Sequence, residues 1–179
     1  MSKLVLVRHG ESRGNAWSEA NRNDRTNFLS AKGRKQAELA GMELATDFFG
    51  FDTVISSEMT RACETMVTIM SQFDGNACRR EYITDKRLNE CRNKEAEQNH
   101  RVGVNAAVTE IIAPALLEGD VLCVTHYFTM QRILDFLKIN RGQFWCEGKH
   151  IPNAMPMVYN THDEKWTIYN HYFERTQFL

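Results

Sequence analysis

Arg8, His9, Arg61 and His126 are the side chains of this sequence whose types and settings suggest chemistry. Leu4-Val5-Leu6-Val7 stops at Arg8-His9-Gly10, and Val121-Leu122-Cys123-Val124-Thr125 stops at His126. Arg61 stands just after Ser56-Ser57, and Asn15 adds a neutral donor a few residues beyond His9. Two guanidiniums with forked hydrogen-bonding geometry suit a tetrahedral phosphoryl group and would stabilise charge building on its equatorial oxygens. Helix starts after Gly10 and after Ser56-Ser57 would add partial positive charge at the same place. A neutral imidazole inside such an anion trap can attack phosphorus directly. The neighbouring cations disfavour a second proton on the ring, and a hydrogen bond to its other nitrogen would fix the tautomer. The leaving alkoxide then needs a proton, and Glu90 is the candidate donor, since a carboxyl desolvated beside a dianion keeps its proton more readily. Glu11 is the rival acid, although a place at a helix start with an arginine partner would account for it structurally.

These residues can act together only if the chain folds them to one edge. An unbroken apolar run reads as a strand buried on both faces, which belongs in a parallel sheet. In open α/β sheets ligands bind beyond the carboxyl ends of the strands. Two such runs ending in histidine therefore put His9 and His126 at one edge, facing across one pocket.

The intervening elements alternate. Residues 12 to 29 are polar and read mostly as a loop, with a short helix possible after Gly10. Ser30 is placed to cap a helix whose apolar stripe is Ala37, Ala40, Gly41, Leu44, Ala45 and Phe48. Asp52 to Ser56 reads as a strand, and Ser57 as the cap of a helix burying Met59, Ala62, Cys63, Met66, Val67 and Met70, with Arg61 off that stripe. Arg80 to Thr84 reads as a strand and residues 86 to 90 as a loop into a charged segment ending near His100. A helix is expected over 101–117, kinked or ended by Pro114. Another follows over 127–138, then a polar loop around 142–153 and strands over 157–161 and 165–172. The fold class is α/β, a three-layer α/β/α sandwich with a mostly parallel central sheet, in a single domain over 1–179.

Composition narrows the function classes. With 179 residues, 42% hydrophobic and 25% charged, the chain can bury one ordinary core and is neither disordered nor membrane-like. A formal net charge of −1 supplies no field for a nucleic-acid backbone, so attraction for anions must be local. The 5 cysteines are odd in number and without C-x-x-C spacing, which suggests neither a disulfide framework nor a zinc site and fits a reducing compartment. The block Leu4 to Val7 is too short for a signal-peptide core or a membrane span. The expectation is a cytoplasmic protein acting on a small phosphorylated partner, with no nucleic acid, membrane or cofactor involved. The sequence selects no oligomeric state.

The ordered fragments Arg8-His9-Gly10-Glu11-Ser12 with Asn15, Leu29-Ser30-Ala31-Lys32-Gly33 with Gln36-Ala37, Ser56-Ser57 with Arg61-Ala62 and Thr65, Leu88-Asn89-Glu90, and Val124-Thr125-His126 resemble the histidine phosphatase superfamily, also called the phosphoglycerate mutase-like family. The resemblance covers most of the chain. It implies a phosphoglycerate mutase-like fold, His9 as the phosphorylated nucleophile, Arg8, Arg61 and His126 as phosphate ligands, Glu90 as proton donor, and no metal. Tyr127 stands where the family usually has glycine, which would narrow the pocket or stack on a substrate.

Only 35 residues separate Glu90 from His126, without the longer insertion usual in the mutase branch. The Thr-Gly pair usual ahead of Leu-Ser is also replaced, by Asn27-Phe28. These departures favour a phosphomonoesterase acting on a sugar phosphate, phospho-acid or nucleotide through a phosphohistidine. A phosphoglycerate mutase-type phosphotransferase and a non-catalytic phosphate-binding regulator are the alternatives. Arg13, Arg22, Arg25, Lys94 and Arg101 are further residues that could line a substrate path or be ordinary solvated charge.

Overall fold

The computed structural model describes residues 2–13, 27–75, 77–91, 96–137 and 151–169. Six strands form one sheet: β1 (Lys3–Arg8), β2 (Phe51–Ser56), β3 (Cys78–Thr84), β4 (Val121–Thr125), β5 (Pro156–Asn160) and β6 (Lys165–Ile168). Their spatial order is β3-β2-β4-β1-β5-β6. The pairs β3/β2, β2/β4 and β4/β1 are parallel, whereas β5 runs antiparallel to both β1 and β6. Leu4, Val5, Leu6 and Val7 are all fully buried, as are Val121 to Val124. Neither strand alternates, because each has neighbours on both edges and cover on both faces.

The helices are α1 (Ala31–Asp47), α2 (Thr60–Met70), α3 (Glu97–Ala107), α4 (Ala113–Glu118) and α5 (Tyr127–Phe136). They form two packed groups, α1 against α2 and α3 against α5, and complete a three-layer α/β/α sandwich. Ser30 caps α1 as expected, its hydroxyl accepting from the Gly33 amide at 3.0 Å.

Several expected boundaries and faces differ. In α1 the buried face is Gly33, Gln36, Ala37, Ala40, Gly41 and Leu44; Ala45 is exposed, and buried Phe48 lies just past the helix end. Gln36 is buried because its side-chain oxygen accepts from the Glu11 amide. Helix α2 begins at Thr60 with Met59 in the cap position, so Ser57 is not its cap. Its buried face is Arg61, Ala62, Thr65, Met66, Ile69 and Met70, while Cys63 is half-buried and Val67 exposed.

The helix expected from residue 101 starts four positions earlier, at Glu97, and contains a π-turn over Val108–Ile112 before α4. Pro114 therefore sits in the first turn of α4, directly after the π-turn, and the helical path runs on through it to Glu118. Helix α5 ends at Phe136, and β6 ends at Ile168. The short helix after Gly10 and most of the loop around 142–153 lie outside the described residues. Among the described residues no helix is long and apolar enough to cross a membrane.

Candidate active site

Register brings the two histidines together. Arg8 pairs with Thr125 in the parallel β1/β4 ladder, so the next residue of each strand is a histidine, and the His9 amide still donates to the Thr125 carbonyl at 2.9 Å. The two rings stand edge to face with centroids 5.0 Å apart and planes at 62°. Strand β2 ends alongside, its Ser56 opposite Val124, and the Ser57 amide donates to the Val124 carbonyl. Thus β1, β4 and β2 deliver His9, His126 and Ser57 to one edge.

The hydrogen bonds at His9 fix its tautomer. Nδ1 lies 2.6 Å from the Gly10 carbonyl oxygen, which can only accept, so Nδ1 carries a proton. The Arg61 Nε–H donates to His9 Nε2 at 3.2 Å, so Nε2 presents a lone pair. The ring is neutral in this arrangement, with its Nε2 lone pair turned toward a guanidinium. Arg61 is 2% exposed and His9 3%. The apolar stripe placed Arg61 off the buried face of α2; the structure buries it because that face of the helix looks onto polar His9 rather than onto apolar core.

The loop bearing His9 is fastened from several sides. The Gly10 amide donates to Thr65 Oγ1, which in turn donates to the Arg61 carbonyl. Asn153 Nδ2 donates to the His9 carbonyl at 2.7 Å, and the Ala154 amide to that of Arg8. Arg8 donates through Nη1 to the Ile151 carbonyl and holds its guanidinium carbon 5.4 Å from the centre of the Tyr127 ring. Tyr127 is buried, and the Phe128 ring stands edge to face with it at 5.1 Å between centroids. The glutamate after Gly10 is tied down too, its carboxylate accepting from Ser30 Oγ at 2.8 Å; its described partner is this hydroxyl, not the arginine expected for it.

His126 is fully buried at the start of α5 and shares a short hydrogen bond, 2.7 Å, between its Nε2 and Ser57 Oγ. The turn carrying Glu90 closes over this point. Asp85 caps the 3-10 turn Lys86–Leu88. Beyond it the Leu88 carbonyl accepts from Thr125 Oγ1, and the Asn89 carbonyl from Thr129 Oγ1 and His100 Nε2. Asn89 Oδ1 accepts from both Ser57 Oγ and the Glu58 amide. Glu90 follows directly and is 8% exposed, a carboxyl held out of bulk water beside the histidine pair's supports. The sequence reading missed Ser57, Thr65, Asn89 and Asn153 as partners of the edge residues; three of the four lay inside fragments already singled out, but nothing in their types announced the pairing.

Arg8, His9, Arg61, His126 and the Glu90 turn are thus gathered at one sheet edge, with Tyr127 over Arg8. Asn15 lies outside the described residues, as do Arg22, Arg25 and Lys94; Arg101 is exposed on α3. Among the described residues no group of three or more His, Cys, Asp or Glu side chains is arranged to hold a metal ion. Chemically, the arrangement can present a nitrogen lone pair to phosphorus, surround the oxygens with cationic donors and supply one carboxyl for proton transfer.

The serine/threonine-protein phosphatase Pgam5, mitochondrial, of Drosophila melanogaster and that of Drosophila erecta are each 39% identical to the chain over 71 residues. That match takes in 40% of this chain and 23% of theirs, so it spans under a quarter of those relatives. Among solved structures, the alpha-ribazole phosphatase from Shigella flexneri superposes with a TM-score of 0.68 at 17% identity, over 93% of this chain and 94% of that one. The phosphoserine phosphatase from Entamoeba histolytica gives 0.65 at 16% identity, over 94% and 95%. At such identities these two show a shared fold. The family model of the histidine phosphatase superfamily (branch 1) matches residues 4–114, a span holding Arg8, His9, Arg61 and Glu90, and the chain belongs to that superfamily.

Proposed function

We propose that this protein is a phosphomonoesterase that hydrolyses a small phosphorylated metabolite through a phosphohistidine on His9, needing no metal and acting in the cytoplasm. The observation that carries this reading is the tautomer of His9, whose Nδ1 proton is committed to the Gly10 carbonyl so that the Nε2 lone pair meets Arg61. In the first step the Nε2–P bond forms as the P–O bond to the alcohol breaks, and Glu90 gives its proton to the departing oxygen. In the second, Glu90 takes a proton from water as its oxygen attacks phosphorus, the N–P bond breaks and orthophosphate leaves.

Arg61 serves twice. At rest its Nε–H covers the nucleophile, and when an ester arrives the same guanidinium turns its donors to the equatorial oxygens, with Arg8 and His126 joining it. Asn15 is a further donor to the phosphoryl group in this reading, and Tyr127 shapes the site by fixing Arg8.

Phosphate release from a panel of sugar phosphates, phospho-acids and nucleotides, measured with and without EDTA, tests the proposal. Release is expected to persist with EDTA present and to be abolished by His9→Ala. Interconversion of phosphoglycerates without net release would instead mark a phosphotransferase, and tight binding of phosphoesters with no turnover a regulator.

A further inference from the structure

The proton on His126 can be located from its neighbours alone. A backbone amide only donates, so the Glu58 N–H at 3.0 Å identifies the Asn89 side-chain atom facing it as the carbonyl oxygen, Oδ1. Ser57 Oγ lies 2.8 Å from that same oxygen and must therefore donate to it. A serine hydroxyl has one proton, and this one is now spent. The Met59 amide also donates to Ser57 Oγ, at 3.1 Å, in keeping with an oxygen that otherwise accepts. The remaining short contact, 2.7 Å to His126 Nε2, can be satisfied only if Nε2 carries the proton and donates it.

We infer that Ser57 and Asn89 are a positioning pair that keeps the proton of His126 on Nε2 and so fixes which edge of the ring faces His9. The two site histidines in their neutral forms then hold opposite tautomers: His9 has its proton on Nδ1 and its lone pair on Nε2, whereas His126 has its proton on Nε2 and donates to a phosphoryl oxygen through Nδ1 only after taking a second proton there. The chain of bonds from His126 through Ser57 ends on Asn89, the residue next to Glu90. One relay therefore registers the phosphate-facing histidine of α5 against the turn that carries the acid. Ser57 is fully buried, so bulk water does not compete for these bonds. The functional side of this inference rests on the phosphatase reading above; the tautomer itself does not.

Long-range 1H–15N correlation spectra of the whole protein, with ring nitrogens labelled and pH high enough that His126 is neutral, read the tautomer directly. The wild type is expected to show the Nε2–H form at His126. Ser57→Ala is expected to move the ring to a mixture of tautomers or to Nδ1–H, and Ser57→Thr, which keeps a hydroxyl, to retain the original pattern. Should Ser57→Ala fail to fold, Asn89→Ala tests the same point, because it frees the Ser57 proton to reverse the bond and mix the tautomers. Orthophosphate, titrated as the probe, should bind Ser57→Ala roughly tenfold or more weakly, the scale of one charge-assisted hydrogen bond, and Ser57→Thr nearly as the wild type. An Nδ1–H wild type, a pattern unmoved by the alanine variants, or undiminished orthophosphate binding by Ser57→Ala would each overturn the inference. The spectra report whether or not any ester is hydrolysed, so a chain without turnover would sink the phosphatase reading and leave the tautomer assignment standing.

Discussion

At the scale of single residues, the division of labour depends on which group keeps a proton and which gives it away. His9 and Arg61 hold each other in a neutral-acceptor and cation-donor pair, while Glu90 sits 8% exposed on the following turn. If Glu90 supplies the leaving group's proton, its worth depends on how badly that group needs one. Glu90→Gln should slow hydrolysis of alkyl phosphates by about 10²–10⁴-fold and that of p-nitrophenyl phosphate far less, since nitrophenolate leaves readily without a proton. Equal losses on both substrates, measured as kcat under saturating conditions, would remove Glu90 from the acid role.

The same scale shows what hydropathy reads and what it misses. His9 and His126 were legible because each ends a run of side chains with no polar interruption, and a shared register did the rest. Arg61 does reach the edge that carries His9, but from the buried face of its helix rather than from outside it. Apolar periodicity finds the side of a helix that meets an apolar neighbour, and Arg61 and Thr65 lie on a buried side that meets His9 and Gly10.

Among elements, the start of α1 acts as a clamp on the His9 loop. Ser30 and Gln36 bond to Glu11, and the backbone of Gly33 lies so close to the loop that an added Cβ would run into the Glu11 carbonyl. Gly33→Ala must therefore push backbone against backbone. A loss of about 1–3 kcal/mol is expected, read from the urea midpoint, together with reduced phosphate release under the proposed mechanism because the displaced loop carries His9. An unchanged midpoint would mean that the clamp yields freely.

The Glu90 turn has a different support. Burial alone would raise the pKa of Asp85, but its hydrogen bonds and charge contact with Arg87 outweigh that and leave it below the ordinary carboxylate value. Because the folded-state value is lowered, the stability it contributes is present above its unfolded pKa and is lost as pH falls through the folded value. Wild type should thus exceed Asp85→Asn in urea midpoint at neutral pH, and the gap should close on acidification below about pH 4. This device was not visible in the sequence, where Asp85-Lys86-Arg87 reads as ordinary surface charge. The early start of α3 and the π-turn before Pro114 were hidden for a related reason: tertiary packing of Val104, Val108 and Ile112 decides them, and no local signal marks the widened turn.

Over the whole molecule, the site draws on segments remote from one another in the chain: residues 8–11, 57–65, 88–90, 125–129 and 151–154. Strand β1 lies between β4 and β5, with Leu4 opposite Val121 on one side and Tyr159 on the other. Such pairings close long loops before they gain anything, which slows folding. A fragment of residues 1–150 would keep every side chain proposed for the chemistry yet lack β5 and the Asn153 and Ala154 bonds to the His9 and Arg8 carbonyls. It is expected to show no phosphate release and to be cleaved rapidly by protease; a protected, active fragment would mean that the edge closes without that segment. The placement of β1 thus has a consequence for synthesis on the ribosome. His9 emerges long before the residues that enclose it, so under the phosphatase proposal a growing chain stays chemically silent until its closing strand has left the exit tunnel.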